Sequence, residues 1–179
     1  AAVALLGLGG CSRTSYNGKL VIIGGSLEDD NQAVFDSIFA DVGPERHFGI
    51  IPTASGIPEE TGPVNVARFE AKAGERPITL IDIPYTHPER AQDPQYAERI
   101  LAQTGLHFIG GDQSRIIDAF RPESGDTVGY QAVVDLLERG GTVSGTSAGA
   151  AMMSDPMIRW GDSAEALLIG DPELPDRGV

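Results

Sequence analysis

Ser147 stands at the centre of Gly145-Thr146-Ser147-Ala148-Gly149, with Ala150 and Ala151 following. A serine hydroxyl is a weak nucleophile at neutral pH. It needs an adjacent base, a group that orients the base, and donors for the oxyanion. Gly-x-Ser-x-Gly supplies a geometry for this: a turn from strand into helix so tight that the flanking positions must be small, with the serine exposed in a strained pose. The N–H after the serine then points at the oxyanion, with the helix N-terminus behind it. The pattern alone also fits a glycine-rich turn that packs a helix onto a sheet. Here Thr142 to Gly145 reads as the strand and Ala148 to Met153 as the helix, so the context a nucleophile needs is present.

Gly110-Gly111-Asp112-Gln113 is the second signal. Glycines at a strand end let the backbone approach a ligand, and their N–H groups could complete an oxyanion hole. The simpler reading is a turn with Asp112 as N-cap of the next helix, and both can hold at once. Gln113 could bond a substrate amide; taken alone it reads as a solvated helix residue.

The elements that must position these residues follow from hydrophobic spacing. Strands are expected at Lys19–Ile23, His47–Ile51, Ile78–Ile83, Leu106–Ile109 and Thr142–Gly145. Helices are expected at Asn31–Val42, Pro63–Ala73, Gln95–Gln103, Asp112–Phe120 and Val128–Arg139, with Gly74 and Gly140-Gly141 as stops. Alternating strands and helices predict an α/β fold, a mostly parallel sheet with helices on both faces. Such sheets place ligands at the carboxyl ends of their strands. Three of those ends are glycine-rich: Gly24-Gly25, Gly110-Gly111 and the turn at Ser147.

The chain of 179 residues is long enough for one domain with a sizeable core. Its formal net charge of -13, spread along the sequence, disfavours nucleic acid as a partner. It mildly favours a cationic ligand, although an acidic surface also simply keeps a protein in solution. No metal-binding or phosphate-binding motif stands out, so no cofactor is expected. Cys11 is the single cysteine. Ala1 to Gly10 looks like the tail of a secretory hydrophobic region, and Leu8-Gly9-Gly10-Cys11 resembles a bacterial lipobox. Residues 1–18 are therefore expected to be the remnant of a lipoprotein signal, clipped at its start, with a polar tether. Cys11 would carry the lipid. That predicts an exported protein whose only membrane contact is this anchor; without the leader reading it would be cytoplasmic. Residues 19–179 would form the domain that carries Ser147.

Gly24-Gly25, Ile51-Pro52-Thr53-Ala54-Ser55, Gly110-Gly111-Asp112-Gln113 and Gly145-Thr146-Ser147-Ala148-Gly149-Ala150, in this order, resemble cyanophycinases. These are serine peptidases of family S51, related to the aspartyl dipeptidases, on a flavodoxin-like three-layer sandwich similar to class I glutamine amidotransferases. The resemblance covers about Lys19 to Asp162. It implies Ser147 as nucleophile, the N–H groups of Ala148 and of the Gly110-Gly111 turn as oxyanion donors, and Gln113 as a substrate-binding residue. It implies an acidic triad member shortly after the nucleophile. Glu165 fits the cyanophycinase pattern and Asp162 the dipeptidase-like spacing; either could instead be a solvated loop carboxylate. The family's base histidine should follow the acid, but His47, His87 and His107 all precede Ser147. All three read as structural or solvated, and the base is expected beyond Val179, the chain being a fragment that lacks its C-terminal part and is nearly inactive alone.

The resemblance implies a serine-type exopeptidase that cleaves aspartyl (iso)peptide bonds, with cyanophycin as substrate and β-Asp-Arg as product. The close alternative is an aspartyl dipeptidase acting on α-Asp-X peptides. A reading of another class is a peptide-binding lipoprotein that keeps the turn without catalysis. A homodimer is compatible with each.

Overall fold

The computed structural model describes residues 17–43, 46–155 and 157–159. Five strands form one sheet: β1 (Lys19–Ile23), β2 (Phe48–Ile51), β3 (Ile78–Leu80), β4 (Gly105–Phe108) and β5 (Thr142–Thr146). Their order is β1-β5-β4-β2-β3, and every pairing is parallel. Parallel strands buried on both faces read as continuous apolar runs, and β2 is buried at all four positions.

The helices divide between the faces. α1 (Gln32–Phe39) and α2 (Pro58–Ala73) cover one. There Phe35, Phe39, Phe48 and His107 gather around the buried Phe69, with ring centroids 4.6 to 6.1 Å from it. On the other face lie α3 (Pro94–Leu101), α4 (Gln113–Phe120), α5 (Val128–Glu138) and the short α6 (Ala148–Ala151). Their core joins Ile100, Ile116, Phe120, Val133 and Leu136 to Ile51, Leu106, Phe108 and Val143 from the sheet. These are the three layers that the alternation of elements predicts. Leu20 and Ile22, which alternate with Val21 and Ile23 along the edge strand β1, stay exposed.

Most boundaries shift by one to three residues from expectation, and two of the differences are instructive. α2 begins at Pro58 and holds Pro63 in its interior. Pro58 at the first turn, with Glu59 and Glu60 behind it, is the better start, since proline lacks only an N–H that the first turn leaves unpaired. The run Ile78–Ile83 is a strand only to Leu80; Ile83 N–H then turns back onto Ile81 C=O at 2.8 Å. Ile81 and Ile83 are nevertheless fully buried, so the apolar run marked burial beyond the strand.

Candidate active site

Ser147 links β5 directly to α6. Its φ of 52° and ψ of -112° put a residue with a Cβ into the region that favours glycine. Holding such a backbone costs on the order of 1–3 kcal/mol and persists only when the surroundings impose it. They do so here. Ser147 N–H donates to Ile23 C=O at 2.9 Å, tying the turn to the end of β1. Ser147 C=O accepts from Ala150 N–H and Ala151 N–H, both at 2.9 Å, which starts α6. The two motif glycines are fixed by close approach. A Cβ on Gly145 would lie 2.2 Å from Gly149 O, and one on Gly149 would lie 2.2 Å from Phe108 O. The helix thus sits on the backbone of β5 and β4 with no room for side chains between. Ser147 itself is exposed, while Ala148 behind it is buried.

The strands on either side of β5 end in glycine turns that face the serine. A Cβ on Gly110 would come within 3.2 Å of Ser147 Cβ, and one on Gly25 within 3.9 Å. Gly111 has φ 148°, and a Cβ there would meet Ala54 O at 2.0 Å. Asp112 N–H donates to the same Ala54 carbonyl at 2.9 Å, so the loop after β2 braces the turn after β4. The Asp112 carboxylate caps α4, accepting from Ser114 N–H at 2.9 Å and Ser114 Oγ at 2.7 Å. The Ser114 hydroxyl bond, above all, holds that carboxyl below the usual carboxylate range. The capping role read from the sequence therefore stands, with Gly110 beside the serine and Gly111 against Ala54. Ala148 opens α6, so its N–H is one of the N-terminal donors a helix ladder leaves over. Ser147 thus presents an exposed hydroxyl beside Gly110, with Ala148 N–H at the start of α6, a setting compatible with attack on a carbonyl.

Gln113 is the first residue of α4, and its Nε2 donates to Ile158 C=O at 3.1 Å. It anchors the segment that leaves α6, beside the serine turn. Arg159 of that segment pairs with Asp118 on α4. None of the three histidines bonds to Ser147. His47 is exposed at the entry to β2. His87 is exposed and pairs with Glu89 at 3.0 Å. His107 is fully buried in β4, where its Nδ1 lies 2.9 Å from Ser144 Oγ and its ring 4.6 Å from that of Phe69. Burial, with a smaller contribution from Arg68, pushes its pKa down to about 3, so it is neutral and inaccessible. Glu165, Asp162 and Cys11 lie outside the described residues. Among the described residues no cluster of His, Cys, Asp or Glu is placed to hold a metal ion, and no helix is long and apolar enough to cross a membrane.

Sequence reasoning did not assign the bracing role of Ala54 O or the approach of Gly25 to Ser147. Its only signal for them was the pair Gly24-Gly25 and the Pro52-Thr53-Ala54-Ser55 stretch at strand ends.

No protein-family model matches the chain. Curated relatives do. The chain is 31% identical over 150 residues to a cyanophycinase of Trichormus variabilis, across 81% of this chain and 48% of that protein. It is 30% identical over 125 residues to the cyanophycinase of Geminocystis herdmanii, across 69% of this chain and 43% of that protein. The chain belongs to the S51-type peptidase family. It spans about half the length of these S51 relatives. Among solved structures, the fold is similar to that of a peptidase from an acI-B1 actinobacterium, with a TM-score of 0.68 at 21% identity over 90% of this chain and 63% of the other. A Listeria monocytogenes protein assigned to peptidase E gives a TM-score of 0.59 at 16% identity, over 90% and 73% of the two chains. At these identities the likeness is one of fold: the S51 α/β sandwich.

Proposed function

We propose that this S51 protein is a serine-type exopeptidase that hydrolyses aspartyl peptide or isopeptide bonds, with a cyanophycin-like polymer releasing β-Asp-Arg as its substrate. Ser147 attacks the carbonyl, the N–H groups of Ala148 and of the Gly110-Gly111 turn hold the oxyanion, and Gln113 lines the substrate side. Glu165, or Asp162 in its place, orients a base histidine that follows it in the whole protein. The single observation that carries this reading is the backbone of Ser147: an exposed serine held at φ 52° between glycine turns. Strain of this kind is kept where function requires it. The relatives named cyanophycinase favour the isopeptide substrate over an α-Asp-X dipeptide. Cys11 is proposed as the site of lipid attachment in an exported protein.

The test uses the full-length protein with a fluorophosphonate probe, a β-Asp-Arg polymer and α-Asp-X dipeptides. Labelling of Ser147 and dipeptide release from the polymer, both lost in Ser147→Ala, are expected. Cleavage of α-Asp-X peptides alone would move the assignment to the dipeptidase branch. No labelling of the full-length protein would leave a non-catalytic peptide binder.

A further inference from the structure

The sheet has a second feature at its carboxyl end, away from the serine. From β2 the chain steps outward to β3, whereas from β4 it steps the other way to β5. The helix after β2, α2, lies on one face, and the helix after β4, α4, lies on the other. The chain thus leaves β2 and β4 for opposite faces, which makes their carboxyl ends a topological switch point, a place where open α/β sheets bind ligands; the two loops touch there, Asp112 N–H donating to Ala54 C=O at 2.9 Å. Residues 52–57 and 109–112 meet at this point.

Arg115 reaches from α4 to the loop after β2 at this point. It is half-buried in the first turn of α4, and its Nη1 donates to Ala54 C=O at 3.0 Å. Its guanidinium lies 4.3 Å from the centroid of the Tyr85 ring, which rises from the loop after β3 and is 36% exposed. On the other side it fills the space beside Gly56, with Nη1 3.5 Å from where a Cβ would sit. A cation held by a ring and a carbonyl is fixed in place but not neutralised. Arg68, Arg90 and Arg121 each pair with an aspartate. Among the described residues Arg115 makes no ion pair. Asp112, whose charge it feels, bonds Ser114 through Oδ1 and does not come within ion-pair distance of it. Of the five N–H donors of the guanidinium, the bond to Ala54 uses one. Holding the loop requires a single donor. The remaining planar fork matches a carboxylate, which accepts two parallel N–H bonds.

We infer that Arg115, stacked on Tyr85, is a specificity-determining residue that binds a carboxylate of the peptide substrate at the β2–β4 switch point. The inference rests on the peptidase reading only for the identity of the ligand as a peptide. In a chain of net charge -13, a fixed unpaired guanidinium at the ligand end of the sheet selects against neutral peptides and orients an acidic one.

The test is a binding titration on the full-length protein carrying Ser147→Ala, so that no turnover intervenes. The probes are β-Asp-Arg, its C-terminal amide and its counterpart with the free aspartyl carboxyl amidated. One of the two amides is expected to bind about ten-fold more weakly than the acid, which identifies the carboxylate. Adding Arg115→Met should abolish that difference, and Arg115→Lys, which keeps charge and one donor, should retain part of it. With Ser147 intact, fluorophosphonate labelling of Arg115→Met should match that of the parent. Equal binding of all three probes by the parent, or unchanged discrimination in Arg115→Met, overturns the inference. Lost labelling in Arg115→Met also overturns it, because Arg115 would then be a loop brace. A parent that discriminates the acid but neither labels nor cleaves would refute the peptidase reading while keeping this one.

Discussion

His107 makes the stability of this fold sensitive to acid in a window that can be worked out. Ser144 Oγ donates to Leu106 C=O at 3.0 Å, so toward His107 it can only accept. The hydrogen of neutral His107 is therefore on Nδ1, and Nε2 is the bare nitrogen. Protonating Nε2 would place a full charge in the buried cluster around Phe69, where Arg68 already contributes repulsion. The pKa of the imidazole accordingly falls from 6.5 to about 3 on folding. Between those values the unfolded chain takes up a proton that the folded chain refuses. The stabilisation is fully present above pH 6.5 and is lost as pH drops, with a slope of up to about 1.4 kcal/mol per pH unit. By about pH 4.5 this amounts to roughly 3 kcal/mol, a large part of the 5–15 kcal/mol typical of a domain.

His107→Gln isolates the effect, because glutamine can donate to Ser144 and does not titrate. At pH 7.5 the variant is expected to be less stable than the parent by about 1–3 kcal/mol, through lost packing on Phe69. Urea unfolding at pH values from about 7.5 to 4.5 should show this gap closing and then reversing as His107 becomes a liability. Two stability profiles that stay parallel within about 0.5 kcal/mol across that range would refute the reasoning, since no proton would then be linked to folding at this site.

The backbone at Ser147 predicts an inverted glycine effect. Ser147→Gly should be more stable than Ser147→Ala by about 1 kcal/mol in urea melts, the reverse of the usual order, because only glycine relaxes at φ 52°; the opposite order would show that the turn is unstrained. Gly149→Ala should cost about 2 kcal/mol or more, since its Cβ would meet Phe108 O at 2.2 Å, while Gly24→Ala, with nothing within 4 Å, should stay within about 0.5 kcal/mol. Equal midpoints for these two variants would remove close packing as the reason for Gly149.

The elements legible in the sequence were those whose apolar period or punctuation is local. β1 was placed to the residue, and α4 was placed with its Asp112 cap because an Asx residue before a helix bonds the backbone two positions on. The start of α2 was missed because Pro63 outweighed the weaker signal of Pro58-Glu59-Glu60, although an established helix can absorb one missing N–H. The site was legible where its requirement is steric and written into consecutive residues, as at Gly145 and Gly149. It was not legible where the requirement is a contact between distant loops. Nothing near Arg115 in sequence announces Tyr85, 30 residues before it, or Ala54, 61 residues before it. Such contacts follow from strand order, which hydrophobic periodicity does not encode.

Strand order also explains why glycine recurs at three strand ends. β5 lies between β1 and β4, so any residue at its carboxyl tip has a loop on each side. β1 supplies the carbonyl of Ile23 that fixes the Ser147 amide, and its next residues, Gly24 and Gly25, must then turn away without covering the hydroxyl. β4 is pressed against the elbow through Phe108, so that a Cβ on Gly110 in its next turn would come within 3.2 Å of the serine Cβ. Side chains at either turn would fill the space a substrate carbonyl needs. A nucleophile on an edge strand would require one such clearing; on this inner strand it requires two. The same order puts the β2–β4 switch point on the far side of β4 from Ser147, about 7 Å across the sheet at about 4.8 Å per strand spacing. A peptide lying over the carboxyl end of β4 would thus meet the hydroxyl of Ser147 on one side and the guanidinium of Arg115 on the other, with Gly110 and Gly111 beneath it.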